Sequence, residues 1–581
     1  MSKYRILPGS ALGRRTGRHL WRDMVHWFDP RLLLRTLFTL IVARLFAAYA
    51  DRRERDGAQP LDGPYRYDDR DELWLDYVAD LGDGWDSTAT IAGLLAADTL
   101  DPDGQGALPH GRVLLMGGDQ AYPVASREEY LARLEAPYYS LHPYSPEDSP
   151  RDLYVLPGNH DWYDGLAAFS RLFQQQRWFA GWRTRQSRSY FALRLPQHWW
   201  LLAVDVQLDN DIDAAQLAYL RHATADLAPG DRVVLMGAVP FWLEDAGSML
   251  RRNLAFLERT LIRDRGARVY VSLAGDLHHF TRYTADDGRH RITAGGGGAF
   301  LHGTAWQPEA VADDEVQWRR AQAWPSPDVS RLALWRLLAF PFYNPSFAVF
   351  LGAMLTLLLW GADSASHGLF FANATSGVPM TAMALFAAAP ASPVFAAALL
   401  AWFAGFVAFA DEPQLGPRAL RRPLRNALGM THALLQLLLG LAVVCWLLPS
   451  RLADPLSLVG SLLLLVFWLS LAGGLLFGAW VWLLFQLLGC HKSTAWSACR
   501  IRDWKHFLRL HVAADGTLTV HVIGVERVCR RWRERQPVVQ GEALAEPADG
   551  VALAQRAFLI ERISVRPHDA TGHSPGERSM S

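Results

Sequence analysis

Four apolar runs, almost free of charge, lie between about residues 340 and 490. They are PSFAVFLGAMLTLLLWGA (345–362), a Pro-interrupted run within 379–410, ALGMTHALLQLLLGLAVVCWLL (427–448) and a long run at 456–489. About 20 apolar residues suffice for a helix to cross the hydrocarbon core of a bilayer. The pattern predicts a transmembrane domain of about four helices over 340–490 rather than a buried helical core. The last run is longer than one span needs, which implies tilt or a re-entrant part. Arg331 and Arg336 precede the first run, Arg418, Arg421, Arg422 and Arg425 separate the second and third, and Lys492, Arg500, Arg502 and Lys505 follow the fourth. This placement predicts that both large flanks face the cytoplasm.

The residues before the runs are of a different kind. Residues 1–69 form a basic N-terminal region with no pattern of a cleavable signal peptide. Within it, 31–50 is apolar but carries Arg31, Arg35 and Arg44, which are costly in hydrocarbon. It reads as an amphipathic helix lying on a surface rather than a span. Formal net charge is +0, so bulk charge gives no reason to expect nucleic-acid binding. Arginine supplies nearly all the positive charge, which fits a bacterial source. The expected location is then a bacterial inner membrane, as a multi-pass protein. The four cysteines, Cys445, Cys490, Cys499 and Cys529, have no metal-ligand spacing and suggest no disulfide framework. Oligomeric state is left open.

From 70 to 310, short apolar runs (RVLLMGGD, DLYVLPGN, WWLLAVDV, RVVLMGAV, RVYVSLAGD) alternate with helical stretches, which predicts an α/β domain. Residues 500–563 read as a small β-rich C-terminal domain, with HFLRLHVAADGTLTVHVIGV as two strands around an Asp-Gly turn. The tail from 566 to 581 is polar and reads as disordered.

Four segments of the α/β region place metal-binding side chains just after apolar runs: Asp80 and Asp83; Asp119 and Tyr122; Asn159, His160 and Asp161; Asp276, His278 and His279. Strand ends bring lone pairs from distant parts of a chain to one point, which a metal ion requires. Singly, each segment also reads as a turn, a cap or a surface histidine. In this order and spacing the set resembles the calcineurin-like metallophosphoesterase superfamily, whose GNHD block is intact at Gly158–Asp161. The resemblance covers about 70–310 and implies a β-sandwich flanked by helices. Asp80-Leu81-Gly82 followed by Gly118-Asp119-Gln120-Ala121-Tyr122 looks like the purple acid phosphatase branch, where the tyrosine binds ferric iron. NHDWYDG, QSRSYFALRLP, GDLHHFTRY and ITAGGGGAFLHGT resemble a membrane-associated subgroup. Gly295–Gly298 is either a turn lining the site or a plain loop.

The resemblance implies metal ligands at Asp80, Asp119, Tyr122, Asn159, Asp276 and His278, with His160 and Asp161 catalytic. Asp119 would bridge two metals, and His160, oriented by Asp161, would contact the phosphate or protonate the leaving oxygen. Two departures stand out: Ala238 occupies the place of a usual histidine, and Asp276 replaces the first histidine of Gly-His-x-His. His279 or Asp83 could substitute. The implied cofactors are one or two divalent metal ions (Mn, Mg, Fe or Zn), the oxygen-rich second position suiting Mn²⁺ or Mg²⁺. The expected activity is hydrolysis of a phosphate mono- or diester, with a lipid-linked one among the candidate substrates, by metal-activated water. Arg188 and Arg282 are candidate phosphate clamps. The alternative is a membrane-bound sensor or pseudoenzyme that binds metal or phosphate without turnover, and Ala238 is its support.

Overall fold

The computed structural model describes residues 21–36, 38, 41, 59–104, 106–144, 151–206, 211–313, 316–414, 417–447, 455–535 and 541–566. Two compact units result: one from 1–25, 36–327 and 501–581, the other from 26–35 and 328–500.

The first unit is mixed α/β. Its principal strands are β1 (Leu73–Val78), β2 (Val113–Met116), β3 (Arg151–Val155), β4 (Trp199–Val204), β5 (Arg232–Gly237) and β6 (Arg268–Ala274). They continue with β7 (Phe280–Ala285), β8 (His290–Ala294), β9 (Lys505–Val512), β10 (Leu518–Val525) and β11 (Ala557–Val565). An eight-stranded sheet runs β11-β10-β9-β1-β2-β3 before two short strands, and a nine-stranded sheet contains β4-β5-β6-β8-β7 in that order. β1, β2 and β3 are parallel (Leu75 opposite Val113, Val113 opposite Asp152), as are β4, β5, β6 and β8.

Side-chain alternation explains the layers. Leu75, Tyr77, Val113, Leu115 and Tyr154 from the first sheet share one core with Leu201, Ala203, Val234, Met236 and Leu273 from the second. The intervening residues point outward. Val78, Leu114, Met116 and Val155 pack with helices Trp85–Ala96 and Ala167–Phe173, and Trp200, Leu202, Val233 and Leu235 pack with Ala214–Ala223 and Met249–Leu257. Strands buried on both faces read as unbroken apolar runs, as these do.

The sequence-derived boundaries change in two places. The second sheet runs past 310, because Val316–Trp324 pairs antiparallel with β7. More importantly, 500–563 is not a separate domain: β9 pairs antiparallel with β1, Leu508 opposite Tyr77. Arg509 locks the pairing by a two-point ion pair with Asp76 (2.7 and 3.1 Å), both side chains fully buried or nearly so. Local alternation identifies strands but does not say which edge they complete.

The second unit is helical. Pro345–Ala365, Ala419–Leu447 and Val459–Leu488 are long and apolar enough to cross a membrane; Val378–Ala388 and Pro393–Phe409 are bent by 114° and pass only as a pair. The bend falls at Pro390 and Pro393, where Ser392 caps the second helix by accepting from the Phe395 amide (3.3 Å). The fourth run is one continuous helix, Pro455–Leu488, with no re-entrant break. Residues 30–36 are helical; most of the expected amphipathic helix and the tail from 567 lie outside the described residues.

Candidate metal centre

The site forms where parallel strands end. Residues following β1, β2 and β6 turn sharply, and Asp80, Asp119 and Asp276 adopt φ of 60°, 51° and 65°. Left-handed backbone is unfavourable for residues other than glycine, and such strain persists only where the surroundings enforce it. Here they do. The loops after β1 and β2 run side by side, with the amides of Asp80, Leu81 and Gly82 donating to the carbonyls of Gly118, Asp119 and Gln120 (3.0, 2.9 and 3.1 Å). Glycines admit the carboxylates: a Cβ on Gly158 would lie 2.1 Å from Asp119 Oδ1, and one on Gly295 2.3 Å from Asp80 Oδ2. Gly295–Gly298 therefore packs on the β1 loop, and the Gly297 amide donates to Ala79 (2.9 Å).

Four side chains from three separate loops meet at the Tyr122 hydroxyl. Asp80 Oδ1, Asp119 Oδ2 and His278 Nε2 each lie 3.1 Å from Tyr122 Oη. His278 Nδ1 donates to the Phe300 carbonyl (2.7 Å), so its Nε2 carries the lone pair turned toward the tyrosine. The Tyr122 hydroxyl thus sits among three groups able to accept from it, and Asp80 Oδ2, also buried, has no hydrogen-bond partner. Asp80, Asp119, Tyr122 and His278 are all less than 5% exposed. Burial, then the neighbouring Asp119 and Asp276, raises the Asp80 carboxyl far above the carboxylate range; burial, then Asp119 and Asp80, raises Tyr122. Burial, then His302 and Lys505, keeps His278 neutral. This is a set of buried lone pairs short of positive charge, which suits a cation. Among the described residues no three His, Cys, Asp or Glu form a metal-binding group by themselves; the convergence depends on the tyrosine.

The neighbouring side is differently furnished. The His160 amide donates to Asp119 Oδ1 (3.0 Å), Asn159 Nδ2 to Tyr163 Oη (3.3 Å), and the Asp276 amide to Asp80 Oδ1 (3.1 Å). Burial, then Asp119 and Glu244, pushes the Asp276 carboxyl up to about 7. Ala238 follows β5 and is buried against the same loops: its carbonyl accepts from the Gly275 amide (3.1 Å), and a Cβ on Gly118 would lie 3.0 Å from its methyl.

Several expected roles change. Asp161 does not orient His160; it accepts from the Gly158 amide (2.8 Å), the Gln120 amide (3.2 Å) and the Tyr130 hydroxyl, bracing the loops after β2 and β3. His160 Nδ1 instead contacts the Pro123 carbonyl (2.6 Å). Asp83 accepts from the Val25 and Phe300 amides (2.8 and 3.0 Å), which uses both its oxygens structurally. His279 Nδ1 contacts the His302 carbonyl (3.2 Å). Arg188 binds the carbonyls of Gln59 and Pro60 and pairs with Asp62 (3.4 Å), and Arg282 pairs with Glu561 of β11. Both arginines are tied to their own fold rather than held out as clamps. His302, stacked on His278 (ring centroids 4.0 Å apart, 2° between planes), lies within ITAGGGGAFLHGT without standing out there, and the brace Tyr130 has no motif around it.

No family model matches the chain, and no curated protein matches it. A solved structure of PhoD is similar to it at 12% identity, covering 42% of this chain and 60% of that one, with a TM-score of 0.25. The chain thus spans about 60% of the length of that structure, and a likeness of this size assigns neither fold nor activity.

Proposed function

We propose that the chain is a metallophosphoesterase that hydrolyses a phosphate mono- or diester at a membrane. The observation that carries this is the convergence of Asp80, Asp119, Tyr122 and His278 on one buried point, with Asp80 Oδ2 left without a hydrogen-bond partner. These four residues would hold one metal, and Asp119, Asn159 and Asp276 face a second position. A cation bound there supplies charge for the phosphate oxygens and acidifies water. Tyrosinate and carboxylate oxygens favour hard ions: iron at the first position, Mn²⁺ or Mg²⁺ at the second. His160, half-buried with its ring 4.4 Å from that of Tyr122 and its Nδ1 on the Pro123 carbonyl, would hold or deliver a proton at a substrate oxygen. Asp161 acts through the backbone it braces. The apolar helices would keep the site near a membrane, with the first unit on the cytoplasmic side and a lipid-linked ester within reach.

The test uses the full chain in detergent with an aryl phosphodiester, stripped of metal and reloaded with Mn²⁺, Mg²⁺, Fe³⁺ or Zn²⁺. Turnover restored by metal is the expected result; metal binding without turnover supports the second reading, a sensor. The observation that favours that reading is Ala238, a methyl against the loops where an imidazole would complete the second position. A reporter fused after Ser581 tests the orientation, and activity only outside the cytoplasm would reverse it.

A further inference from the structure

We propose that one end of the helical unit is a binding surface for anionic phospholipid headgroups. The proposal rests on reading that unit as membrane-spanning, and it adds a lipid preference that spanning alone does not require.

Hydrogen bonds within the unit bring several helix ends together. Asn344, before Pro345–Ala365, donates to the Ala498 carbonyl (3.1 Å), and the Gln414 amide donates to the Leu488 carbonyl at the end of helix Pro455–Leu488 (3.0 Å). Arg421 reaches the Gln414 carbonyl (2.9 Å), the His491 amide donates to Asp411 (2.9 Å), and Gln486 reaches the Arg331 carbonyl (3.4 Å). Arg331, Arg336, Arg421, Arg422 and Arg425 therefore share this end. The described connections at the other end, 366–377 and 389–392, contain no lysine or arginine.

The charge there exceeds its local partners. Arg331 pairs with Asp328 (3.2 Å) and Arg422 with Glu412 (3.6 Å), but among the described residues Arg336 and Arg425 have no carboxylate partner. Large apolar side chains stand exposed among the arginines: Leu332, Trp335 and Phe342 at 69, 53 and 72%, and Leu420 at 58%. Exposed tryptophan and phenylalanine beside guanidinium groups do not suit water on one hand or hydrocarbon on the other. They suit the headgroup layer, where the rings sit at the interface and each guanidinium forks onto a phosphate oxygen pair. Charge complementarity thus commits the surface to anionic lipid.

The experiment extracts the full chain from vesicles of equimolar phosphatidylglycerol and phosphatidylcholine and quantifies retained lipid by mass spectrometry. Phosphatidylglycerol should be enriched at least about fivefold, the effect of one favourable basic contact. Arg336→Gln with Arg425→Gln should bring the ratio toward one while metal binding at the Asp119 site is unchanged. Because exposed charges are screened, added salt should lower the enrichment in the unmodified chain as well, a check that needs no variant. Equal retention of the two lipids, an enrichment indifferent to both variant and salt, or full displacement by excess inorganic phosphate would each overturn the proposal. A chain washed from vesicles at alkaline pH would overturn the membrane reading with it, whereas loss of metal-dependent turnover alone would leave the lipid surface standing.

Discussion

The two oxygens of Asp119 look onto two unlike regions. On the Oδ2 side, Asp80, Tyr122 and His278 lie packed together, each less than 5% exposed. On the Oδ1 side stand Gly158 and the His160 amide, while Ala238 packs its methyl beside Gly118. The first region is over-determined: its left-handed aspartates are held by strand register, by glycines and by one another. The second meets the carboxylate with backbone, and Ala238 beside it offers a methyl rather than a donor.

The sharpest way to break the comparison is Asp119→Ala, which removes the residue common to both sides. Activity should fall roughly 1000-fold or more, since several kcal/mol of charge stabilisation depend on it. Near-normal turnover by the purified variant would sink the site assignment. Tyr122→Phe touches the Oδ2 side alone. Its metal affinity should drop by at least the roughly 10- to 100-fold that even outer partners of a metal are worth. If the unmodified protein binds ferric iron, its visible absorbance band should vanish in this variant. Ala238→His addresses the other side, and is expected to tighten a second metal and raise activity about tenfold if an imidazole is what is missing. Two tight zinc ions in the unmodified chain would show that some other residue completes that side.

The smallest effect concerns pH in the metal-free chain. Asp276 sits at about 7 in the folded protein, above the usual carboxylate value, so the folded state holds a proton that the unfolded state releases. Its stabilising contribution is full below about pH 4 and is lost as pH rises through about 7. The thermal midpoint of the stripped protein should accordingly decline over that window, and metal, which displaces the proton, should flatten the decline. An unchanging midpoint would detach Asp276 from the site.

Much of this arrangement is legible in sequence because strand ends and turn residues are local features. Gly-Asp after VLLM, the GNHD block and Asp-Leu-His after VSLA announce the loops that carry Asp119, Asn159 and His278. What sequence does not carry is partner choice. His160 lies beside Asp161 in the chain, yet the short helix Asn159–Trp162 points them apart, one to Pro123 and the other into the loop amides. Arg188 and Arg282 look like free cations until Asp62 and Glu561 arrive from distant segments. The 505–525 hairpin is readable as a hairpin, but its attachment to β1 depends on long-range register and on the Asp76–Arg509 pair.

That attachment makes the order of synthesis matter. Asp76 and Arg509 are 433 residues apart in the chain, and among the described residues the three helices long and apolar enough to cross a membrane all lie between them. While those helices emerge, β1 is an open edge with a carboxylate in its middle and no guanidinium to meet it. An unpaired edge invites pairing with other chains, and a buried carboxylate without its cation is costly. A ribosome halted anywhere before Arg509 would therefore leave a nascent sheet prone to aggregation, however complete its metal loops already were. Completion of the first sheet thus waits on the strands that follow the apolar helices rather than on the loops that carry the motifs.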